Sequence, residues 1–300
     1  MMTLPSSWYA IASPQEFSDS KPNSLRRFGV DWVIWKSTQG WIAQRDLCPH
    51  RSAKLSIGKI KDDCIQCPFH GFEFNSRGEC ALVPEIEKAV PQVKVETYTL
   101  IEKHGFLWMP WRLPTDAAPP WFEEIENQSF TYSQSVLIWK KHFSRCVENQ
   151  LDYAHLPFVH YNSIGRGFNP AREVKWDLDS KKLRVVLDAK QPGAGFFEFK
   201  FGNIWQLGIS SKFKQFLAFV PVDDNETAIY MRSYHRFTQI PGLKNLIAWL
   251  SNNVGNPYII NQDHRVVMTQ EPGDVRFAKH ERLFASDQAI HAFRKWLSEE

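Results

Sequence analysis

Five cysteines among 300 residues are few and odd in number, which argues against a disulfide framework and leaves metal or thiol chemistry as their use. Long apolar runs are missing too. A membrane-spanning helix needs roughly 20 apolar residues, and the best stretch, Leu243 to Leu250, is short and carries Lys244 and Asn245. The opening residues Met1-Met2-Thr3-Leu4-Pro5-Ser6-Ser7-Trp8 have neither the basic start nor the apolar core of a signal peptide, so a cytoplasmic protein without a membrane span is expected. A net charge of +3 is spread along the chain, with no basic block beyond Lys140-Lys141 and Lys181-Lys182. That spread argues against nucleic acid as a partner and hints at an acidic protein instead. Dinucleotide fingerprints are also absent, because neither Gly165-Arg166-Gly167 nor Gly193-Ala194-Gly195 completes the pattern.

What remains is an ordinary soluble composition, 43% apolar and 23% charged, in a chain long enough for one large or two medium domains. Residues 1–111 read as β-rich. Short runs such as Trp8 to Ala12, Val30 to Trp35, Trp41 to Ala43 and Phe106 to Trp111 alternate with turn residues, which predicts a small sandwich or barrel. Residues 112–125 form a proline-rich stretch without periodicity, expected as a linker. Beyond it, residues 126–300 should form a second domain. The segments Glu173 to Leu187, Phe196 to Phe201, Ile204 to Ser210, Phe213 to Val222 and Thr227 to Thr238 alternate like antiparallel strands, and Pro241 to Asn253, Pro257 to Gln270 and Ser286 to Leu297 look helical. The class is therefore α+β. Among the aromatics, Phe196, Phe197, Trp205, Phe216 and Phe219 are expected mainly in the core, with some lining any pocket.

Two segments carry the chemistry. Cys48-Pro49-His50 is followed by Cys67-Pro68-Phe69-His70, and two Cys-plus-His pairs suit either zinc or a Rieske [2Fe–2S] cluster. A zinc finger pairs Cys with Cys and His with His along the chain, so the interleaved order here favours the cluster. Cys64-Ile65-Gln66-Cys67 is formally a C-x-x-C, but no helix opens after it, and Cys64, Cys80 and Cys146 are expected as unligated small residues. His104 is expected in a turn or at the surface. The second segment runs from Glu148 through Asp152, His155 and Pro157 to His160. Two imidazoles plus a carboxylate from elsewhere can hold iron(II) on one face and leave the other open for dioxygen. On a helix Asp152 and His155 would share a face, allowing the carboxylate to orient the ring, and Pro157 would bend the backbone so that both histidines reach one ion. The alternative is two ordinary histidines on a polar helix face.

Cys48-Pro49-His50-Arg51-Ser52-Ala53 with Cys67-Pro68-Phe69-His70-Gly71 resembles the N-terminal domain of Rieske non-haem iron oxygenases, and Glu148-x3-Asp152-x2-His155-x4-His160 resembles the mononuclear-iron motif of the same family. Ala53 and Phe69 stand where respiratory Rieske proteins carry a disulfide, and Phe72 stands where oxygenases often have Trp. The resemblance implies an all-β Rieske domain, a helix-grip-like catalytic domain, and two cofactors. The cluster would be held by Cys48, His50, Cys67 and His70, and iron(II) by His155, His160 and a late carboxylate, for which Asp263 is better placed than Glu271 or Asp274. It also implies a head-to-tail homotrimer in which His70 of one subunit bonds to Asp152 of the next as an electron bridge. A separate ferredoxin or flavin reductase would supply electrons, and a small organic molecule and O2 would be the substrates. The stretch from His50 to Ser56 with Gly58 resembles purine-alkaloid N-demethylases and, more distantly, chlorophyll-related oxygenases, which keeps a tetrapyrrole substrate as an alternative. An electron-transfer protein without oxygenase activity is a further one, and it leaves the second histidine motif unexplained.

Overall fold

The computed structural model describes residues 2–86, 92–113, 118–126, 130–188 and 194–299. Two units divide the chain, one of Met1–Met2 and Ser6–Pro119, the other of Thr3–Pro5 and Pro120–Glu300. Part of the expected linker, residues 114–117, lies outside the described residues. Its far end is not a linker. Phe122 and Ile125 are buried, and the short helix α1 (Glu123–Glu126) is tied down by Glu124, which accepts from Arg184 at 2.5 Å and from Gln206 at 2.9 Å. Residues 120–126 therefore fold as part of the second unit.

The first unit is β throughout. Three small antiparallel sheets account for it: Ser7–Ala12 with Phe106–Trp111 and Ile101–Lys103, then Asn23–Arg27, Val30–Ser37, Gly40–Arg45 and Thr97–Thr99 in order, and a third of Lys59–Lys61, Cys64–Gln66, Glu73–Asn75 and Cys80–Leu82. Alternation alone does not describe these strands, since Phe106–Trp111 is buried at every position and Trp32 to Trp35 lie wholly inside. Side chains from both faces are covered, as in a closed or sandwiched β fold. One hydrophobic cluster, including Val33, Trp35, Ile42, Ile65 and Phe74, also contains Cys48 and Cys67. The metal-motif cysteines are thus core residues. His104 sits in the turn between two strands with φ +55°.

A seven-stranded antiparallel sheet forms the second unit, in the order Thr131–Trp139, Glu226–His235, Phe213–Asp223, Ile204–Ser210, Phe196–Lys200, Lys182–Leu187, Val174–Leu178. The predicted single run from Glu173 to Leu187 is in fact a hairpin, because Asp179 turns the chain by accepting from the amides of Lys181 and Lys182. Side chains two apart share a sheet face. Phe199 packs on Phe293 and Trp296 of helix α6 (Gln288–Leu297), while Phe216 on the opposite face meets Trp121 and Phe122.

Three further helices frame the site. Helix α2 (Phe143–Leu151) has nearly every residue buried, including Arg145, whose guanidinium joins Glu148 at 3.1 Å and Glu281 at 2.6 Å; Arg294 on α6 joins the same two carboxylates. The expected helix Pro241 to Asn253 is shorter, Leu243–Leu250 (α4), and passes through a π turn at Ser251–Gly255 into α5 (Asn256–Val267). Its apolar residues Leu243, Leu246 and Leu250 are exposed, and Ala248 is the buried one. Hydrogen bonding decides this orientation: Ser133 Oγ donates to the Ala248 carbonyl at 2.6 Å and Ser135 Oγ to Asn252 at 3.1 Å, so the small, polar side meets the sheet. No helix among the described residues is long and apolar enough to cross a membrane.

Candidate metal centres

The first centre is built on two tight loops at the edge of the small sheet. Cys48 N–H donates to Ala53 O at 2.8 Å and Ser52 N–H to Cys48 O at 2.8 Å, closing the first loop; Cys67 N–H donates to Phe72 O at 2.7 Å and Gly71 N–H to Cys67 O at 3.2 Å, closing the second. Gly71 has φ +72°, a conformation a side chain would strain. Gly58 is needed for a different reason, as a Cβ there would lie 2.1 Å from the Gln66 carbonyl, where the two loops meet. Buried Asp46 accepts from the Ser56 amide and hydroxyl, each at 2.7 Å, and so pins the base of the first loop.

The loops bury Cys48 and Cys67 and leave His50 exposed and His70 half-buried, with ring centroids 4.7 Å apart. Phe72 stacks on His50 at 4.8 Å. Burial pushes the Cys48 thiol up to about 11, against the pull of the His50 and Arg51 amides directed at its sulfur, with Cys67 adding to the rise. Two thiols side by side, two imidazoles side by side and amides aimed at sulfur suit a two-iron cluster with one pair on each iron. A single tetrahedral ion would draw all four ligand atoms to within about 4 Å of each other. Among the described residues the group of three or more ligand atoms that comes together within 4.8 Å is a different one.

That group is His155, His160 and Asp263, whose ligand atoms lie within 4.8 Å of one another. The backbone reaches it by a route unlike the expected bent helix. Helix α2 ends at Leu151, Asp152 is extended at φ −87°, ψ 119°, and His155 caps the short helix α3 (Leu156–Val159), with His160 at its other end. Asp152 and His155 therefore do not share a helix face. Pro157 opens α3 rather than kinking a longer helix, a position where its missing N–H costs nothing. Asp152 uses Oδ1 to accept from the Ala154 amide at 2.7 Å, turning the chain, and holds Oδ2 3.5 Å from His155 Nδ1.

Asp263 comes from the middle of α5, almost wholly buried. Its Oδ1 lies 3.0 Å from His160 Nε2 and 3.4 Å from His155 Nε2, yet it makes no properly aligned hydrogen bond. Ligand atoms about 3 Å apart are what bonds of about 2.0–2.2 Å to a shared ion produce, so the donor set fits a metal. Gln262 stands next to Asp263, and its carbonyl accepts from His160 Nδ1 at 2.7 Å, which leaves Nε2 as the free lone pair. Burial would lower His155, but Asp152 and Asp263 outweigh it and hold the imidazole at about 9; the same histidines keep Asp263 below the usual carboxylate range despite its burial.

A pocket reaches this triad, walled by Asn149, Gln150, Trp205, Leu217 and Ile260 among others, and it adjoins a cavity of about 580 Å³ whose walls include Phe168, Ile209 and Phe213. Both spaces share Leu156, Ile164, Leu187, Leu207, Gln215, Asn256 and Ile259.

Residues 7–99 match the Rieske [2Fe-2S] domain family. Methylxanthine N1-demethylase NdmA of Pseudomonas putida is 24% identical over 97% of this chain and 88% of its own length, and the solved structure of NdmA superposes with a TM-score of 0.81 at 23% identity, covering 97% of this chain and 89% of that one. Residues 7–99 are thus a Rieske [2Fe-2S] domain, and over nearly its whole length the chain shares the fold of NdmA. The oxygenase component of 3-ketosteroid-9-alpha-monooxygenase from Rhodococcus rhodochrous is 30% identical over 52% of this chain and 42% of its own length. Chlorophyllide a oxygenase of Chlamydomonas reinhardtii is 33% identical over 54% and 25% respectively. In these two matches the chain spans less than half the length of the curated relatives.

The remaining candidates fall outside both centres. Glu271 pairs with Lys141 at 2.9 Å, Asp274 with Arg276 at 2.7 Å, and His264 packs on the Trp139 ring. Cys64, Cys80 and Cys146 are free thiols, and Cys146 contacts the His142 carbonyl inside α2. Sequence reasoning missed Asp46, the orienting role of Gln262, and Asn149. Only the adjacency of Gln262 to Asp263 offered any signal.

Proposed function

We propose that this chain is a terminal oxygenase that oxidises an organic, aromatic or heterocyclic substrate with O2. In this reading Cys48, His50, Cys67 and His70 hold a [2Fe–2S] cluster, and His155, His160 and Asp263 hold iron(II). The observation that carries it is the buried Asp263 carboxylate facing two imidazole nitrogens without an aligned hydrogen bond, an arrangement that is costly unless a cation fills it. Bound there, iron(II) would supply O2 activation, and a cluster on Cys48, His50, Cys67 and His70 would supply one-electron chemistry.

The protein's own part is positioning. Gln262 fixes the tautomer of His160, Asp152 faces the outer nitrogen of His155, and the apolar walls keep water from the reacting face. Exposed His50 and half-buried His70 give electrons a way in and out at the tip of the first unit. A head-to-tail ring of three subunits would let His70 of one subunit meet Asp152 of the next, since a heterologous contact must close to avoid a fibre. With no flavin or nicotinamide fingerprint in the chain, a separate ferredoxin or reductase is the electron source. The likeness to NdmA and to the steroid oxygenase supports hydroxylation or demethylation, and that to chlorophyllide a oxygenase supports a tetrapyrrole substrate as a second reading.

Iron and zinc analysis with low-temperature EPR of the dithionite-reduced protein tests this. A Rieske signal with about three irons per chain is expected. A Rieske signal with no third iron after iron(II) is added back would leave an electron carrier, and a colourless zinc protein would overturn both assignments. Asp152→Asn should keep both metals and slow reduction of the second site; an unchanged rate would remove Asp152 from the electron route.

A further inference from the structure

We infer that the cavity takes a neutral, largely apolar ring compound bearing a carbonyl oxygen or ring nitrogen, and that Trp205 and Asn149 donate the hydrogen bonds that orient it. This rests on the oxygenase reading for where the substrate sits and adds what that substrate must be.

Charge is the first constraint. No charged side chain is among the described residues lining the outer cavity, and in the inner part the charged groups are Asp152 and Asp263 with the two histidines they face. Neither wall carries a described Lys or Arg. A carboxylate or sulfonate entering this space would lose its water, find no counter-ion and lie beside two acidic groups. A cation would find those two carboxylates already engaged with His155 and His160.

Unused donors are the second constraint. Trp205 is 3% exposed, and its Nε1 is buried with no hydrogen-bond partner; the Nδ2 of Asn149 is in the same condition. Both residues wall the space that reaches the metal triad. Buried N–H groups are paired in folded proteins with few exceptions, and both groups can only donate. The missing partner is therefore an acceptor brought by the occupant. Of the other amides lining this space, Asn256 is taken by Ser233 and Asn252 and Gln215 gives its NH2 to Met231 Sδ, while Gln150 is not among the buried groups left without a partner. Trp205 also lies nearly parallel to Phe197, with centroids 6.4 Å apart and planes at 28°, and both wall the inner space, where flat apolar faces favour a ring over a flexible chain.

Calorimetric titration of the anaerobic holoprotein with three matched probes, fluorenone, fluorene and a fluorenone carboxylate, tests the inference without turnover. Fluorenone should bind about tenfold more tightly than fluorene, and the carboxylate about a hundredfold more weakly than fluorenone. Trp205→Phe keeps the ring and removes the N–H, so it should weaken fluorenone about tenfold and change fluorene less than about twofold. Should that variant lose its Rieske spectrum, Asn149→Leu gives the same reading. Equal affinities for fluorene and fluorenone, a carboxylate that binds as well as the ketone, or no ketone binding at all would each overturn the inference. Fluorenone bound with the expected pattern but no O2 consumed by the reduced, iron-loaded protein with any substrate would instead strike at the oxygenase reading and leave this one standing.

Discussion

Cys48 and His50 lie on the loop from Gly40–Arg45 of one small sheet to Lys59–Lys61 of the next, and Cys67 and His70 on the loop between Cys64–Gln66 and Glu73–Asn75 of that second one, whereas the His155–His160–Asp263 triad joins the ends of α3 to α5, and the neighbouring Gln262 reaches His160 across 102 residues. The first centre is part of its domain's core: Cys48 and Cys67 belong to the same hydrophobic cluster as Val33, Trp35 and Phe74. The second hangs on a scaffold that holds without it. Helix α2, which leads into Asp152 and His155, is fastened by Arg145 and Glu148 to Arg294 of α6 and to Glu281. Burial raises Glu148, and the arginines beside it oppose that rise. Breaking such a buried network is expensive, so α2 is held by contacts of its own, separate from the metal-ligand candidates. The contrast is between a candidate centre whose cysteines sit in a hydrophobic core and one whose supporting helix is fastened by buried ion pairs.

That contrast is open to test, beginning with the largest effect. Cys67→Ser should abolish the visible Rieske spectrum and all turnover and lower the melting temperature of the first unit; a variant that melts like the parent would show that the cluster is not part of the core's stability. His155→Ala should reduce turnover by at least ~100-fold with the Rieske absorbance and melting unchanged, and a lost Rieske signal would erase the separation between the centres. Gln262→Leu frees His160 Nδ1 and should weaken iron at the second site by ~10–100-fold, read by competition with a chelator, with no effect on cluster iron.

The smallest effect concerns protons. His155 ordinarily titrates near 6.5 and is held here at about 9, so between those values the metal-free imidazole carries a proton that iron must displace. Iron affinity should climb by up to about tenfold per pH unit as pH rises toward 9 and level off above it. In the metal-free protein the same pairing stabilises the fold fully below 6.5 and is lost as pH rises through about 9. An iron affinity that is flat from pH 6.5 to 8.5 would show that Asp152 and Asp263 do not hold that proton.

The cluster loops were legible because their ligands are contiguous in sequence, and the strands because most of them repeat at period two. The hairpin inside Glu173 to Leu187 escaped the pattern because its turn rests on one side chain, Asp179. Helix α4 misled it. Leu243, Leu246 and Leu250 have the spacing of a buried face, but the bonds from Ser133 and Ser135 turn that face outward. The region around Asp152 misled it too, since helix propensity does not reveal that Asp152 will end α2 and accept from the Ala154 amide.

By itself, the sequence determined the residue types offered for two candidate metal centres and the succession of β-rich and mixed segments, because all of these depend on local order along the chain. Only tertiary structure decided that Asp263 faces the histidines, that Gln262 orients one of them, and that Trp205 and Asn149 keep unpaired donors on the wall of the space before them. Those relations join atoms far apart in the chain, and their direction depends on how helices pack on a sheet, which no local pattern encodes.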